Sequence, residues 1–244
     1  MKALVVGATA GVGRALSEAL AAHGDALLLV ARDARDLEAQ ASHLRLVHGV
    51  QVEIVAADAA LPEDFLRKII SAAHSFGDIQ GLFFPIGSSR NDDNGTLPVG
   101  DARSLMDANL VTVMAIVGHF LPALLAANHG NIVGFGSIAA IRGRRANVIY
   151  AAAKRGLASY FESLRHIAAA SNVRVQFYQL GYVETQQTFG RRLMLQPAQP
   201  AEIAAVVVQN LDRDIGMRYL PRYWAAIAWL VSALPWAIFK RLRF

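Results

Sequence analysis

The chain has 244 residues, of which 54% are hydrophobic, with a formal net charge of +5 and no cysteine. That length suits one domain with a large core, and the lack of cysteine excludes disulfides and thiolate metal sites. The seven histidines show no metal-ligand spacing, so no metal site is expected. In chain order, residues 4–7 are a short apolar run that reads as a buried strand. The run enters a glycine-rich segment directly, with no secretory pattern, so a cytoplasmic location is expected. Gly7, Gly11 and Gly13 stand in the spacing Gly-x3-Gly-x-Gly, followed by a helical pattern from Arg14 to His23. A strand, a glycine turn and a helix N-terminus together suit a dinucleotide pyrophosphate. Glycines let the backbone approach the phosphates, and the helix end offers free N–H groups and a positive dipole. Gly7, Thr9, Gly11, Val12 and Gly13 are therefore candidate cofactor-binding positions, although a glycine loop can also be only a tight turn.

Strands are expected over 4–7, 26–31, 51–56, 81–85, 130–136 and 174–179. Helices are expected over 12–23, 34–47, 62–75, 102–127, 148–170 and 200–212. This alternation predicts an α/β fold with a doubly wound parallel sheet covered on both faces. Ligands then bind beyond the carboxyl ends of the strands, where Gly7, Arg32, Asp58, Gly87 and Ser137 fall. An acidic residue ending strand two would bind the ribose of NAD and repel a 2′-phosphate. Here Ala31 removes that repulsion and Arg32 can pair with the phosphate, which favours NADP(H) over NAD(H). Arg32 can equally stack on adenine or face solvent, and Asp33 can cap the next helix. Asp58 and Ala59 are expected against the adenine, with a plain turn as the alternative for Asp58.

Tyr150 and Lys154 stand four apart on a predicted helix and so share a face. Ser137 lies thirteen residues before Tyr150. Reducing a carbonyl needs a hydride on carbon and a proton on oxygen. A phenol can supply the proton, and a neighbouring ammonium would lower its pKa toward neutrality. Ser137 can hold the carbonyl oxygen by a hydrogen bond. Taken alone, the Tyr–Lys pair could be an ordinary, partly exposed helix face.

These motifs in this order resemble the short-chain dehydrogenase/reductase family. The glycine spacing, Asp58, Asn109, Ser137, Tyr150 and Lys154 carry the resemblance, which spans about residues 1–212. It implies a Rossmann-type fold, a nicotinamide cofactor and hydride transfer to or from a small-molecule carbonyl. It also implies roles: Tyr150 as acid/base, Lys154 as its electrostatic partner and ribose ligand, and Ser137 as substrate orienter. Asn109 would kink its helix and hold a water linked to Lys154. A homodimer or homotetramer is implied as well.

Two segments depart from the family pattern. Phe84, Pro85, Ile86 and Gly87 replace the usual Asn-Asn-Ala-Gly, so only Gly87 keeps the close approach to the cofactor. Leu180 and Gly181 replace Pro-Gly, while the Val183 backbone and the Thr185 hydroxyl can still meet the carboxamide. The polar stretch 88–100 is expected to be a loop beside the site, or a surface loop.

Residues 1–214 are thus expected to form the dinucleotide-binding and catalytic domain, with 215–244 as an extension. That extension contains no Asp or Glu, all three tryptophans, and Arg218, Arg222, Lys240, Arg241 and Arg243. Apolar helices are expected over 223–234 and 236–242. Tryptophan and basic side chains favour an anionic lipid–water interface, and the apolar stretch is marginal for spanning a bilayer. A peripheral contact on the inner membrane face is expected, with a lid or a subunit contact as the alternative. The segments 142–147 and 234–242 also resemble a subgroup that includes the reductase component of polyprenyl-phosphoryl-ribose 2′-epimerase. That component reduces a keto-pentose carried on a lipid phosphate, which implies a lipid-linked carbonyl substrate and leaves room for NADH. Arg144 and Arg145 would then touch a substrate phosphate, or else be solvated loop charges. A soluble 3-oxoacyl or small-ketone reductase, and a non-catalytic dinucleotide-binding protein, are the competing readings. No nucleic-acid partner is expected, because the positive charge sits among tryptophans and not in a polar groove.

Overall fold

The computed structural model describes residues 1–185, 190 and 195–242. Seven parallel strands form one sheet in the order β3-β2-β1-β4-β5-β6-β7. They are β1 (Lys2–Val6), β2 (Ala26–Ala31), β3 (Val52–Ala56), β4 (Gly81–Phe84), β5 (Gly130–Ser137), β6 (Val173–Leu180) and β7 (Met217–Leu220). The central strands are continuous apolar runs because both of their faces are covered. The period of two then sorts their side chains. Leu4, Val6, Leu28 and Val30 enter the core on one face. Ala3, Val5, Leu27 and Leu29 enter the core on the other.

The helices are α1 (Gly11–Ala22), α2 (Ala34–His48), α3 (Pro62–Phe76), α4 (Val99–Met106), α5 (Thr112–Ala127), α6 (Val148–Ala168), α7 (Pro200–Gln209), α8 (Trp224–Ala233) and α9 (Trp236–Phe239). Residues of α3, α5 and α6 fill the first core. Residues of α1, α2 and α7 fill the second. Asp33 caps α2 as its position suggested, accepting from the N–H groups of Arg35 at 2.8 Å and Asp36 at 3.2 Å. The strand order reverses between β1 and β4, so the crevice at their carboxyl ends lies where connections leave in opposite directions.

Two features differ from the sequence expectations. The helix expected over 102–127 starts earlier and is interrupted by a π-turn, Asp107–Val111, whose buried face carries Asn109. Met217–Leu220, which falls within the expected extension, is instead the edge strand of the sheet, paired in parallel with β6. Its exposed Met217 and Arg218 give no apolar run to read. The extension beyond it is docked on the domain: Trp224 and Phe239 are buried, while Trp229 and Trp236 remain exposed. Arg243 of the basic cluster lies outside the described residues.

Candidate active site

A cavity of about 710 Å³ runs along the carboxyl ends of the strands. Its walls include the glycine loop, Arg32, Asp58, Ala59, Gly87, Ser137, Tyr150, Lys154, Val183 and Thr185. The structure therefore brings together nearly every residue the sequence singled out. Gly13 and Asn109 stand just behind the wall.

The glycine loop explains itself sterically. The Gly7 and Ala8 N–H groups donate to the Val30 carbonyl at 2.8 and 3.1 Å, which fastens the loop to β2. A Cβ on Gly13 would lie 1.9 Å from the Gly7 carbonyl oxygen, and a Cβ on Gly7 would lie 2.8 Å from the Ile86 Cα. Only bare backbone fits this crossing. No side chain caps α1 at Ala10, so the helix end keeps N–H groups for a ligand. These residues fit a dinucleotide. Arg32 is exposed on the cavity rim. Asp58 makes a turn, accepting from the Ala60 N–H at 3.0 Å, and still lines the cavity.

On the opposite wall, Ser137 ends β5 and Tyr150 and Lys154 lie in the first two turns of α6. The Ser137 and Tyr150 side chains both line the cavity. Lys154 is 2% exposed. Its ammonium donates to the carbonyls of Ile86 at 2.8 Å and Phe135 at 3.1 Å. Burial alone pulls its pKa down to about 8. Ile86 stands in the segment that departs from the family pattern, yet its backbone carbonyl anchors the lysine, so that contact needs no particular side chain.

The electrostatics differ from the sequence expectation. An ammonium was expected to lower the Tyr150 pKa. Burial instead raises it, opposed by the Ser137 hydrogen bond and the charge of Arg144. Asn109 is fully buried. Its amide donates to the Ser88 and Leu105 carbonyls, both at 2.8 Å, and its oxygen accepts from the Ser88 N–H at 3.1 Å. It thus pins the start of the loop that follows Gly87.

Two residues near Tyr150 went unread or undecided in the sequence. Asp93, 1% exposed, accepts from the N–H groups of Ile149 and Tyr150, both at 3.0 Å. It caps the catalytic-side end of α6 from a distant loop, and nothing in its polar surroundings marks it. Arg144 lines the cavity whereas Arg145 is exposed, a distinction that adjacent arginines hide. Among the described residues, no group of three or more His, Asp or Glu side chains could hold a metal.

The tail meets this site directly. Trp224 packs on Gly181, where a Cβ would lie 1.9 Å from the indole nitrogen, and stands edge-on to Tyr182 at 5.1 Å between ring centres. Arg142 donates to the carbonyls of Val231 at 2.9 Å and Leu234 at 2.5 Å, and its guanidinium lies 4.0 Å from the Phe239 ring centre.

Comparison with known proteins agrees with this arrangement. The family model for short chain dehydrogenases matches residues 1–194. A 3-oxoacyl-[acyl-carrier-protein] reductase of Escherichia coli is 29% identical over 76% of this chain and 75% of its own. An uncharacterized oxidoreductase of Mycobacterium tuberculosis is 26% identical over 98% of this chain and 96% of its own. A short-chain dehydrogenase from Sphingobium yanoikuyae in complex with NADPH superposes with a TM-score of 0.83 at 22% identity, covering 99% of this chain and 96% of that one. At that identity the likeness shows the fold. The chain belongs to the short-chain dehydrogenase family and is an NAD(P)-dependent oxidoreductase of CH–OH and C=O groups.

Proposed function

We propose that this chain is a carbonyl reductase in which Tyr150 supplies the proton, acting with NADP(H) in preference to NAD(H). The observation that carries the reading is one cavity lined both by the glycine loop and by Ser137, Tyr150 and Lys154. The glycine loop, Arg32, Asp58, Ala59, Val183 and Thr185 hold the cofactor, and Arg32 meets the 2′-phosphate. The nicotinamide supplies the hydride that reaches the carbonyl carbon. Ser137 holds the carbonyl oxygen, and the Tyr150 hydroxyl gives that oxygen its proton. Lys154 binds the ribose, and Asn109 fixes the loop beside it. The NADPH complex of the Sphingobium dehydrogenase supports the cofactor preference.

The substrate in this reading is a lipophilic ketone, such as a keto-sugar carried on a lipid phosphate, met at the inner membrane face. Exposed Trp229 and Trp236, 74% and 66% accessible, share the tail with Arg222, Lys240 and Arg241. Such a surface suits anionic headgroups. The likeness to the Escherichia coli reductase favours a second reading, a soluble 3-oxoacyl reductase whose tail is a lid. A homodimer or homotetramer completes either reading, with exposed Val111 and Met114 on the helical run 99–127 as apolar contact surface.

Titration of NADPH and NADH by nicotinamide fluorescence, with wild type and Arg32→Ala, tests the cofactor assignment. NADPH should bind more tightly, and the advantage should vanish in the variant. Equal binding in wild type removes the Arg32 role. Tyr150→Phe should bind cofactor normally and lose turnover. Flotation with anionic liposomes separates the membrane reading from the lid reading.

A further inference from the structure

We propose that Asp93 is a positioning residue for Tyr150, at the far end of a strap, residues 86–93, that also holds Lys154 and Asn109. The proposal rests on the reading of Tyr150 as proton donor. Helix α6 begins without a cap of its own. Asn147 enters it in the left-handed region at φ 57°, and its side chain caps no N–H group. The Ala151 N–H reaches back to the Asn147 carbonyl at 2.8 Å. The N–H groups of Val148, Ile149 and Tyr150 therefore lie ahead of the helical ladder and need partners from elsewhere.

All three come to Asp93. Its main-chain carbonyl accepts from Val148 at 3.4 Å, and its two carboxylate oxygens accept from Ile149 and Tyr150, both at 3.0 Å. The residue is 1% exposed, and its negative charge suits the positive end of a helix. One residue thus satisfies the whole first turn, which carries the proton donor.

The same short segment meets the other two residues of the site. The Ile86 carbonyl accepts from the Lys154 ammonium at 2.8 Å. Ser88 donates its N–H to the Asn109 side chain at 3.1 Å and accepts from it at 2.8 Å. Ser88, Ser89 and Arg90 line the cavity between these ties. Arg90 pairs with Asp101 of α4 at 3.3 Å, and its carbonyl accepts from the Asp93 N–H at 3.4 Å. Without Asp93 the strap would still hold the lysine and the asparagine, but the turn bearing Tyr150 would lose its tie to both. Asp93 stands off the cavity wall, so it acts through Tyr150.

The test is fluorine NMR of the full chain labelled with 3-fluorotyrosine, which needs neither substrate nor turnover. The Tyr150→Phe variant identifies the Tyr150 resonance among six tyrosines. Asp93→Ala should move that resonance toward the position of free fluorotyrosine and leave the other tyrosines in place. Asp93→Asn, which keeps one acceptor oxygen, should move it only part of the way. Asp92→Ala, which leaves Arg90 its Asp101 partner, should not move it. A lower global stability alone does not shift a folded-state resonance, so the readout separates positioning from a merely stabilising cap. An unmoved Tyr150 resonance in Asp93→Ala, a shift shared equally by all the tyrosines, or an equal shift in Asp93→Asn each overturns the proposal. If Asp93→Ala does not fold, Asp93→Asn decides: a partial, Tyr150-specific shift supports the proposal and an unmoved resonance overturns it. Retained turnover in Tyr150→Phe would instead remove the proton-donor reading, and the resonance would still report whether Asp93 holds that side chain.

Discussion

Replacing Lys154 with methionine should change how stability depends on pH, in a direction and amount that follow from burial. The ammonium is 2% exposed, and its pKa falls from 10.5 to about 8 on folding. Between those two values the unfolded chain holds a proton that the folded chain has released. Stability therefore rises with pH across this window and is lowest below about pH 8. The full gap of about 2.5 units corresponds to roughly 3.4 kcal/mol, of which about 2.5 kcal/mol is gained between pH 7 and pH 10. Lys154→Met deletes this dependence. It also deprives the Ile86 and Phe135 carbonyls of their donor, a cost of about 1–3 kcal/mol that does not vary with pH.

The stability difference, wild type minus variant, isolates the lysine because ionisations common to both proteins cancel. Urea unfolding followed by tryptophan fluorescence at pH 7, 8, 9 and 10 gives that difference directly. It should climb by about 2.5 kcal/mol over the series. A difference that stays level within a few tenths of a kcal/mol would mean that the folded ammonium titrates as it does in water. The account of a buried lysine steadied by two carbonyls would then be wrong.

Two further substitutions probe the walls of the cavity. Gly13→Ala forces a Cβ to within 1.9 Å of the Gly7 carbonyl oxygen; it should lower stability by about 3 kcal/mol and abolish NADPH binding, and unchanged fluorescence enhancement would contradict the crossing described. Asp93→Ala removes both side-chain acceptors at the start of α6; we expect a loss of about 1–2 kcal/mol together with reduced kcat, and a melting temperature equal to the wild type would show that the cap contributes nothing.

Most of the fold was legible because its signals are local. The strand–glycine–helix passage at Gly7, Gly11 and Gly13 is written within a dozen residues and stands as expected, although Val30 and Ile86 also pack against it. The spacing from Ser137 to Tyr150 likewise spans one strand end and one helix start. What escaped detection depends on partners distant in sequence. β7 exists because β6 offers an edge, not because Met217–Leu220 are apolar. The cap from Asp93 reaches 57 residues along the chain to Tyr150, and no periodicity encodes such a contact. The lysine's own setting escaped for a related reason. Sequence spacing places Lys154 on the tyrosine's face of the helix, but the carbonyls that hold its ammonium come from β5 and from the loop after β4.

The same loop joins the tail to the chemistry. Arg142 and Arg144 are two residues apart, yet one grips the α8–α9 corner and the other faces the cavity. Trp224 reaches the cavity's other side by packing on Gly181. Gly181 is the glycine kept beside the departure at Leu180, and the bare backbone there is what admits the indole. Docking therefore uses Trp224 and Phe239 inward, and leaves Trp229 and Trp236 facing out. An amphipathic element so arranged can be lid and membrane contact together. Burying the outer tryptophans in lipid need not displace the inner ones, since the two sets project from different faces of the same short helices. Displacing α8 and α9, by contrast, would free Arg142 and with it the loop that carries Arg144 on the cavity wall. Loss of the tail should therefore register in the wall of the cavity, and not only in membrane binding.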